Sequence, residues 1–306
     1  MITNLDAGSE AFLAAVARMQ RRLAGANQQA ASGKRVTVAS DAPDEVSELL
    51  QLKADQRHNT QIQANLALAK TDADAADQAI GASLKLIDRA LVLGTQSGNP
   101  LVDAAGRQSL AREVQSLQEQ MVAYSRTSVQ GRYIFSGDQD LSPAYSLDLT
   151  TASGVVQLNS SAATVRIEDA AGGSFASSKT AQEIFDNRNP DGTIAPDNVF
   201  AALNSLRLGL VNNDSAAIDT ALTSLRAASY HLNSMESFYG AVQNRIQNTV
   251  NFAATYDIAL KTQLSQKEDA DITAAAVEMS QANTQLQAAF QMRARLPRSS
   301  LFDYLG

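Results

Sequence analysis

The chain has 306 residues, with 25 Lys+Arg against 32 Asp+Glu, no Cys, no Trp and only 6 Pro. The net charge of −7 argues against a nucleic-acid binder, because neutralising phosphates takes a basic surface. The lack of Cys excludes disulfides, thiolate zinc sites and cysteine nucleophiles. Two histidines, His58 and His231, are too few and too far apart to suggest a histidine metal centre.

Aromatics make up 5% of the residues, so the core must be built mainly from Ala, Leu, Ile and Val, which suits thin, close-packed helices. No stretch approaches the roughly 18–20 uncharged apolar residues of a membrane span. The first 26 residues are amphipathic, with Asp6 and Glu10 near the start, and do not read as a secretory signal.

In chain order, the first element is a helix with a narrow apolar stripe of Phe12, Val16, Met19 and Leu23. Gly33-Lys34-Arg35 reads as a flexible break after it. Ser40-Asp41-Ala42-Pro43-Asp44-Glu45 is a strong helix start, with Asp41 expected to cap the first amides and Pro43 placed where a missing N–H costs little. The helix it opens runs past Leu93, about 70 Å at 1.5 Å per residue. Leu52, Ile62, Leu66, Ala69, Ala73, Ala76, Ile80, Ile87 and Ala90 recur at three-four spacing, a heptad seam interrupted by Asp55, Asn59 and Ser83.

Gly98-Asn99-Pro100 marks a turn, and a second helix from about Asp103 carries Leu110, Val114, Leu117, Met121, Tyr124 and Ser128 on one stripe. The short connection predicts that the two helices lie antiparallel. From Tyr133 the period changes to two. Leu147 and Leu149, Val155 to Leu158, and Val165 with Ile167 read as short strands bounded by Gly154 and Gly172-Gly173.

Helical spacing returns at Val199, Leu203, Leu206 and Leu210, and Asn212-Asn213-Asp214 makes a turn. A long helix from about Ser215 has a seam of Leu222, Leu225, Val242, Ile246 and Phe252. A last helix carries Ile272, Ala275, Met279, Ala282, Leu286, Ala289 and Leu296, and ends at Pro297. The fold class expected is mainly α: a long antiparallel bundle or coiled coil built from the N- and C-terminal halves, with a small β-rich inserted domain. The boundaries read as 1–40 (N-terminal assembly helix and linker), 41–136 and 196–264 (the two halves of the bundle), 137–195 (insert) and 265–306 (C-terminal assembly helix and tail).

No catalytic constellation is present: neither Gly-x-Ser-x-Gly nor a phosphate-cradling Gly-rich loop ending in Lys-Ser/Thr. Glu268-Asp269-Asp271 could hold a hard cation, but acids at a helix start are the commoner meaning. Asp186-Asn187-Asn189-Asp191-Gly192 is faintly like a calcium loop but has Asn198 where the bidentate Glu would stand, so a turn is expected. His58 and His231 read as solvated side chains. Catalytic, metal and cofactor-binding residues are therefore expected to be none.

The candidate functional surface is apolar. The terminal stripes of Phe12, Val16, Met19, Leu23, Met279, Leu286, Phe290 and Leu296, with Leu301, Phe302 and Leu305 of the tail, have no third helix to cover them, although the last helix could pair with the first. Arg293, Arg295 and Arg298 form the one basic cluster, which reads equally as salt-bridge donors to an acidic patch on a neighbour or as a solvated face.

Several segments resemble the flagellin-related family of bacterial flagellar proteins. Ala31-Ser32-Gly33-Lys34-Arg35-Val36 and Ala39-Ser40-Asp41-Ala42-Pro43 resemble its N-terminal signature. Arg107 to Gln120 is similar to its second long helix, and Asp269-Ala270-Asp271-Ile272 and Ser299 to Leu305 to its C-terminal region. Gly131-Arg132-Tyr133-Ile134-Phe135-Ser136-Gly137 is the most specific segment and resembles the turn of members placed between hook and filament. The resemblance covers about 1–137 and 235–306.

It implies an extracellular flagellar structural subunit, exported through the flagellar type III route without a cleaved signal peptide. The terminal helices would be mobile in the monomer and ordered in an assembled tube. The partners implied are other copies, a hook-side adaptor protein, flagellin and an export chaperone, with no nucleic acid, membrane insertion or cofactor. Two roles compete within the family: a subunit of the layer joining hook to filament, favoured by residues 131–137, and the filament-forming flagellin. Outside the family, the rival is a coiled-coil adaptor with a β-rich binding module. The inserted strands are expected to face outward and to be dispensable for assembly.

Overall fold

The computed structural model describes residues 3–99, 101–169 and 172–295, with the side chains of 3–8 and 295 outside the description. The chain divides into two compact units, one of Asn59–Tyr256 and one of Met1–His58 with Asp257–Gly306. Helix α1 spans Thr3–Ser32, α2 Val46–Ser97, α3 Ala104–Ser125, α4 Ala181–Phe185, α5 Val199–Val211, α6 Ser215–Glu268 and α7 Ile272–Arg295. Between α3 and α4 lie β1 (Ser128–Val129), β2 (Arg132–Tyr133), β3 (Tyr145–Leu147), β4 (Val155–Gln157), β5 (Arg166–Glu168) and β6 (Ser174–Ala176). They form three separate antiparallel pairs, β1–β2, β3–β4 and β5–β6.

In the Asn59–Tyr256 unit the α2 seam is buried as its spacing predicts, from Ile62 and Leu66 through Ala73, Ala76, Ile80 and Ile87 to Ala90. Two of its polar interruptions donate to backbone carbonyls. Asn59 donates to the Ala253 carbonyl at 2.9 Å, and Ser83 donates to the Ala79 carbonyl one turn back at 2.7 Å. Arg107 Nε donates to the Ser97 carbonyl and Arg89 Nε to Glu113, so partners on α3 advance as those on α2 recede, as an antiparallel hairpin requires. Asp103 caps α3 by accepting from the Gly106 amide at 2.7 Å. The helix stops at Ser125, one turn before the expected Ser128, which instead begins β1.

On α6, Leu222, Leu225, Val242 and Ile246 are buried. Phe252 is a correction: the seam passes through buried Ala253, and Phe252 points outward to stack on Tyr256, ring centroids 6.3 Å apart.

The strand region is not a separable module. Tyr145 of β3, Phe175 of β6 and Phe185 of α4 lie in the same core as Met121, Phe200, Leu225 and Tyr239. Phe135 packs edge-on against Phe185 and Tyr239, and Phe185 stacks on Phe200. Removal of residues 140–190 would therefore open the bundle core.

Asp186, from the calcium-like stretch, is fully buried and accepts from Tyr145 Oη, Arg188 Nε and Asn198 Nδ2. Burial first, then the Asp186 charge, pushes the Tyr145 phenol far above its ordinary range. Asp191 closes a turn by accepting from the Thr193 amide and hydroxyl. His231 differs from the solvated side chain expected: it is 13% exposed, set between Asp197 and the Glu183 carbonyl.

Candidate assembly surfaces

Three places carry the residues that the sequence singles out. In the Asn59–Tyr256 unit the segment Gly131–Gly137 acts as an anchor. Gln130 (φ 53) and Gly131 (φ 80) form the two-residue loop joining β1 to β2, the left-handed pair that a type I′ hairpin demands. Arg132 then reaches Asp72 on α2 at 3.1 Å and Asp140 at 3.4 Å. Burial works to lower the Arg132 pKa, but hydrogen bonds and attraction from the two carboxylates outweigh it and raise it. Phe135 is fully buried. At Gly137 (φ 60) a Cβ would lie 2.5 Å from the Ala162 carbonyl oxygen, so only glycine fits the approach. Arg132 and Phe135 thus fix the root of the strand region to the bundle, and Gly137 admits the close approach of residues 161–162.

The second place is the joint between α1 and α2, within the other unit. Gly33 (φ 70) ends α1 by donating to the Gln29 carbonyl. The Gly33-Lys34-Arg35 break is not loose. Lys34 bridges to Asp269: the Arg35 amide donates to the Glu268 carbonyl at 2.7 Å and the Ala270 amide to the Gly33 carbonyl at 2.9 Å. Helix α2 starts at Val46, later than expected, because Asp41 points backwards. Its carboxylate accepts from the Thr37 and Val38 amides, not from the helix start, and those hydrogen bonds lower its pKa. Val36, Ala42 and Leu49 form a small apolar cluster with Leu264.

Glu268 is buried at the end of α6, where its carboxylate accepts from Lys34 at 2.7 Å and Lys53 at 3.0 Å. Asp271 caps α7 through the Ala274 amide. Among the described residues no group of acids or histidines is arranged to hold a metal.

The third place is the α1/α7 pair. Phe12 meets Phe290 edge-on at 6.3 Å, and Arg22 pairs with Glu278 at 2.7 Å. Arg293 donates to Ser9 Oγ at 2.8 Å and sits over the Phe12 ring at 5.4 Å. These contacts advance on α1 as they recede on α7, so the pair is antiparallel. Val16 is buried, as are Ala26, Ala275 and Ala282, while Phe12, Met19, Leu23, Met279 and Leu286 are half-buried at the seam. The terminal stripes are thus partners of one another, and Arg293, expected to reach a neighbour, is engaged within the pair.

Ile272 departs from its stripe and is exposed. Outside the seam, Leu13 is 64% exposed, Val277 51%, Phe290 49% and Met292 68%. Leu296, Arg298, Leu301, Phe302 and Leu305, with the side chain of Arg295, lie outside the described residues.

Residues 4–140 match the bacterial flagellin N-terminal helical region and residues 215–305 match its C-terminal helical region. The chain belongs to the flagellin-related family. The second match begins upstream of the 235 expected, at the first residue of α6. Residues 141–214, which hold β3 to β6, α4 and α5, lie between the two.

The chain is homologous to flagellar hook-associated protein 3 of Escherichia coli strain K12, 23% identical over 293 residues, 90% of each chain. Its fold is that of a putative flagellar hook-associated protein from Vibrio parahaemolyticus: TM-score 0.63, 18% identity, 75% of this chain and all of the other. It is likewise that of the flagellar junction protein FlgL from Legionella pneumophila: TM-score 0.52, 15% identity, 66% and 99%. These relatives are structural proteins of the flagellum. Among the described residues no helix is long and apolar enough to cross a membrane.

Proposed function

We propose that this chain is a structural subunit of the layer that joins hook to filament, and not an enzyme. The observation that carries the reading is the α1/α7 pair. It buries only a narrow, alanine-rich seam and leaves Leu13, Val277, Phe290 and Met292 open to solvent. A helix pair this thin is marginal alone and gains stability by packing against further helices. Other copies of the chain, arranged as a tube, would supply them.

The assembly surface in this reading is Leu13, Val277, Phe290 and Met292 with the half-buried Phe12, Met19, Leu23, Met279 and Leu286, set over a seam closed by Val16 and continued by Leu296, Leu301, Phe302 and Leu305. Arg295 and Arg298 reach acidic groups of the next subunit. Residues 1–40 and 265–306 serve assembly, 41–136 and 196–264 form the bundle, and 137–195 is the part turned away from the tube. A hook-side adaptor lies on one side of the layer and flagellin on the other. Export follows the flagellar type III route without a cleaved signal, with a chaperone on the C-terminal region. The homology to flagellar hook-associated protein 3 supports a place in the flagellum beside the hook.

Electron microscopy of the purified protein, with and without hooks that carry their adaptor layer, tests the role. Finite caps on hook ends alone are expected. Long filaments without hooks would make the chain a flagellin, and no incorporation in either case would favour a free coiled-coil adaptor.

A further inference from the structure

Between the Gly131–Gly137 segment and helices α2 and α6 lies a cavity of about 100 Å³. Asp72 of α2, Arg132 of β2 and Tyr239 of α6 line it, with Asp138 and Asp140. Two polar groups in it are only half used. Asp72 Oδ2 accepts from Arg132 at 3.1 Å, while Asp72 Oδ1 is sealed from solvent and accepts from no group among the described residues. Tyr239 is buried, and its hydroxyl oxygen accepts from the Lys179 amide at 3.1 Å. The hydroxyl's own proton is given to no acceptor among the described residues.

Burial pushes the Tyr239 phenol far above its ordinary range; the Lys179 amide opposes that, and the charges of Glu183 and Asp72 add to it. The phenol therefore keeps its proton, and the Asp72 carboxylate is near enough to act on it. A buried donor and a buried acceptor without partners are each costly. Here they line the same cavity, and no direct hydrogen bond joins them. An internal water takes at least about 10–15 Å³ and two to four polar partners, and the cavity supplies both.

We propose that this cavity is a binding site for an ordered water, which accepts from the Tyr239 hydroxyl and donates to Asp72 Oδ1. Its second hydrogen has the hydroxyls of Ser177 and Ser178, which line the same space, as acceptors. A bridging water is nearly as favourable as a direct hydrogen bond. It makes Asp72 a two-sided anchor: Oδ2 holds Arg132, and Oδ1 holds α6 through the water. The carboxylate that receives the root of the strand region is thereby kept in the orientation that Arg132 requires.

A cation is the rival occupant, since three carboxylates line the cavity against one guanidinium. Their oxygens are spent elsewhere. Both Asp138 oxygens accept from Thr164, through its amide and its hydroxyl, and Asp140 Oδ2 turns to Arg132 at 3.4 Å. Of the three, Asp72 alone presents a buried oxygen without a donor. One such oxygen suits a water and falls short of the six to eight that a calcium-type cation gathers.

A high-resolution crystal structure of the full chain reads the site directly. One water peak is expected at about 2.5–3.0 Å from both Asp72 Oδ1 and Tyr239 Oη. In Tyr239→Phe that peak should lose most of its occupancy. No shared peak, a direct Tyr239–Asp72 hydrogen bond, or a peak that exchanges for rubidium with an anomalous signal would overturn the water.

Denaturant unfolding in solution tests the bridge separately. Tyr239→Phe keeps the ring that packs on Phe135 and Phe238, but it removes the donor to the water and the acceptor for Lys179. The Lys179 loss is the same in an Asp72→Ala background, so it cancels in a double-mutant cycle. The fall in midpoint caused by Tyr239→Phe should shrink at least twofold in that background. An equal fall in both backgrounds would refute the bridge. The site lies wholly within the Asn59–Tyr256 unit, so these results are independent of where the subunit assembles.

Discussion

The two units solve the same packing problem to different degrees. Around Phe135 the Asn59–Tyr256 unit closes a complete core. Helices α2, α3, α5 and α6 and the strand region each contribute, and Tyr145, Phe185, Phe200 and Tyr239 are sealed from water. The α1/α7 pair has the same heptad logic but stops at two helices, with one buried position each at Val16, Ala26, Ala275 and Ala282 and large apolar residues outside them. The first region is finished by its own chain. In the second, among the described residues, only the seam between the two helices is filled.

That contrast can be broken in both directions. Leu13→Asp alters a side chain that α1 leaves largely in water, so monomer stability should move by less than about 0.5 kcal/mol. Incorporation onto hook ends should fall more than a hundredfold, read as capped hooks per field by electron microscopy. Leu286→Asp sits at the half-buried seam, and helical content by circular dichroism should be nearly unchanged while incorporation is again lost. Collapse of the monomer's helicity would instead make the pair a self-sufficient core.

Phe135→Ala should show the reverse pattern. It removes a ring packed against Phe185 and Tyr239, at a cost of about 3–5 kcal/mol. The melting transition of the bundle should drop sharply, while below it the subunit still incorporates.

Gly137→Ala tests the root of the strand region. The added Cβ meets the Ala162 carbonyl at 2.5 Å in a left-handed backbone, so denaturant unfolding should show a loss of about 1–3 kcal/mol. No loss would mean that the 161–162 segment yields easily and that its close approach to Gly137 adds little to stability.

Regular periodicity made most of the helices legible before the structure was known. The seams of α2 and α3 and the start of α6 are buried where three-four spacing puts them, because a heptad stripe has one way to face a partner. The aromatic core was not legible, since Phe135, Tyr145, Phe185, Phe200 and Tyr239 come from five segments with no shared period.

Helix α4 lies outside the elements that periodicity predicts, although its capping box can be read in the chain: Thr180 and Glu183 exchange hydrogen bonds three residues apart. Its five residues are too few to show a helical repeat. Asp41 departs from the helix cap its position predicts because an Asp before Pro43 serves equally as a helix cap or as the acceptor for a preceding turn. The terminal stripes were read as apolar faces, and periodicity alone does not say that Phe12 meets Phe290 or that Arg293 covers Phe12.

The smallest expected effect concerns the one hairpin hidden by its own sequence. The β1–β2 loop places Gln130 at φ 53, a conformation that costs Gln more than Asn, whose short polar side chain can hydrogen-bond locally. Asn-Gly is the preferred pair for this turn, so Gln130→Asn should stabilise the bundle by roughly 0.5 kcal/mol. Denaturant unfolding followed by circular dichroism would read it as a higher midpoint with an unchanged slope. The change leaves the α1/α7 pair untouched, so incorporation onto hook ends should be the same as for the natural chain. A stabilised bundle that incorporated poorly would show that the 130–137 turn itself meets a neighbour, and the line between a finished region and an open one would then have to be moved.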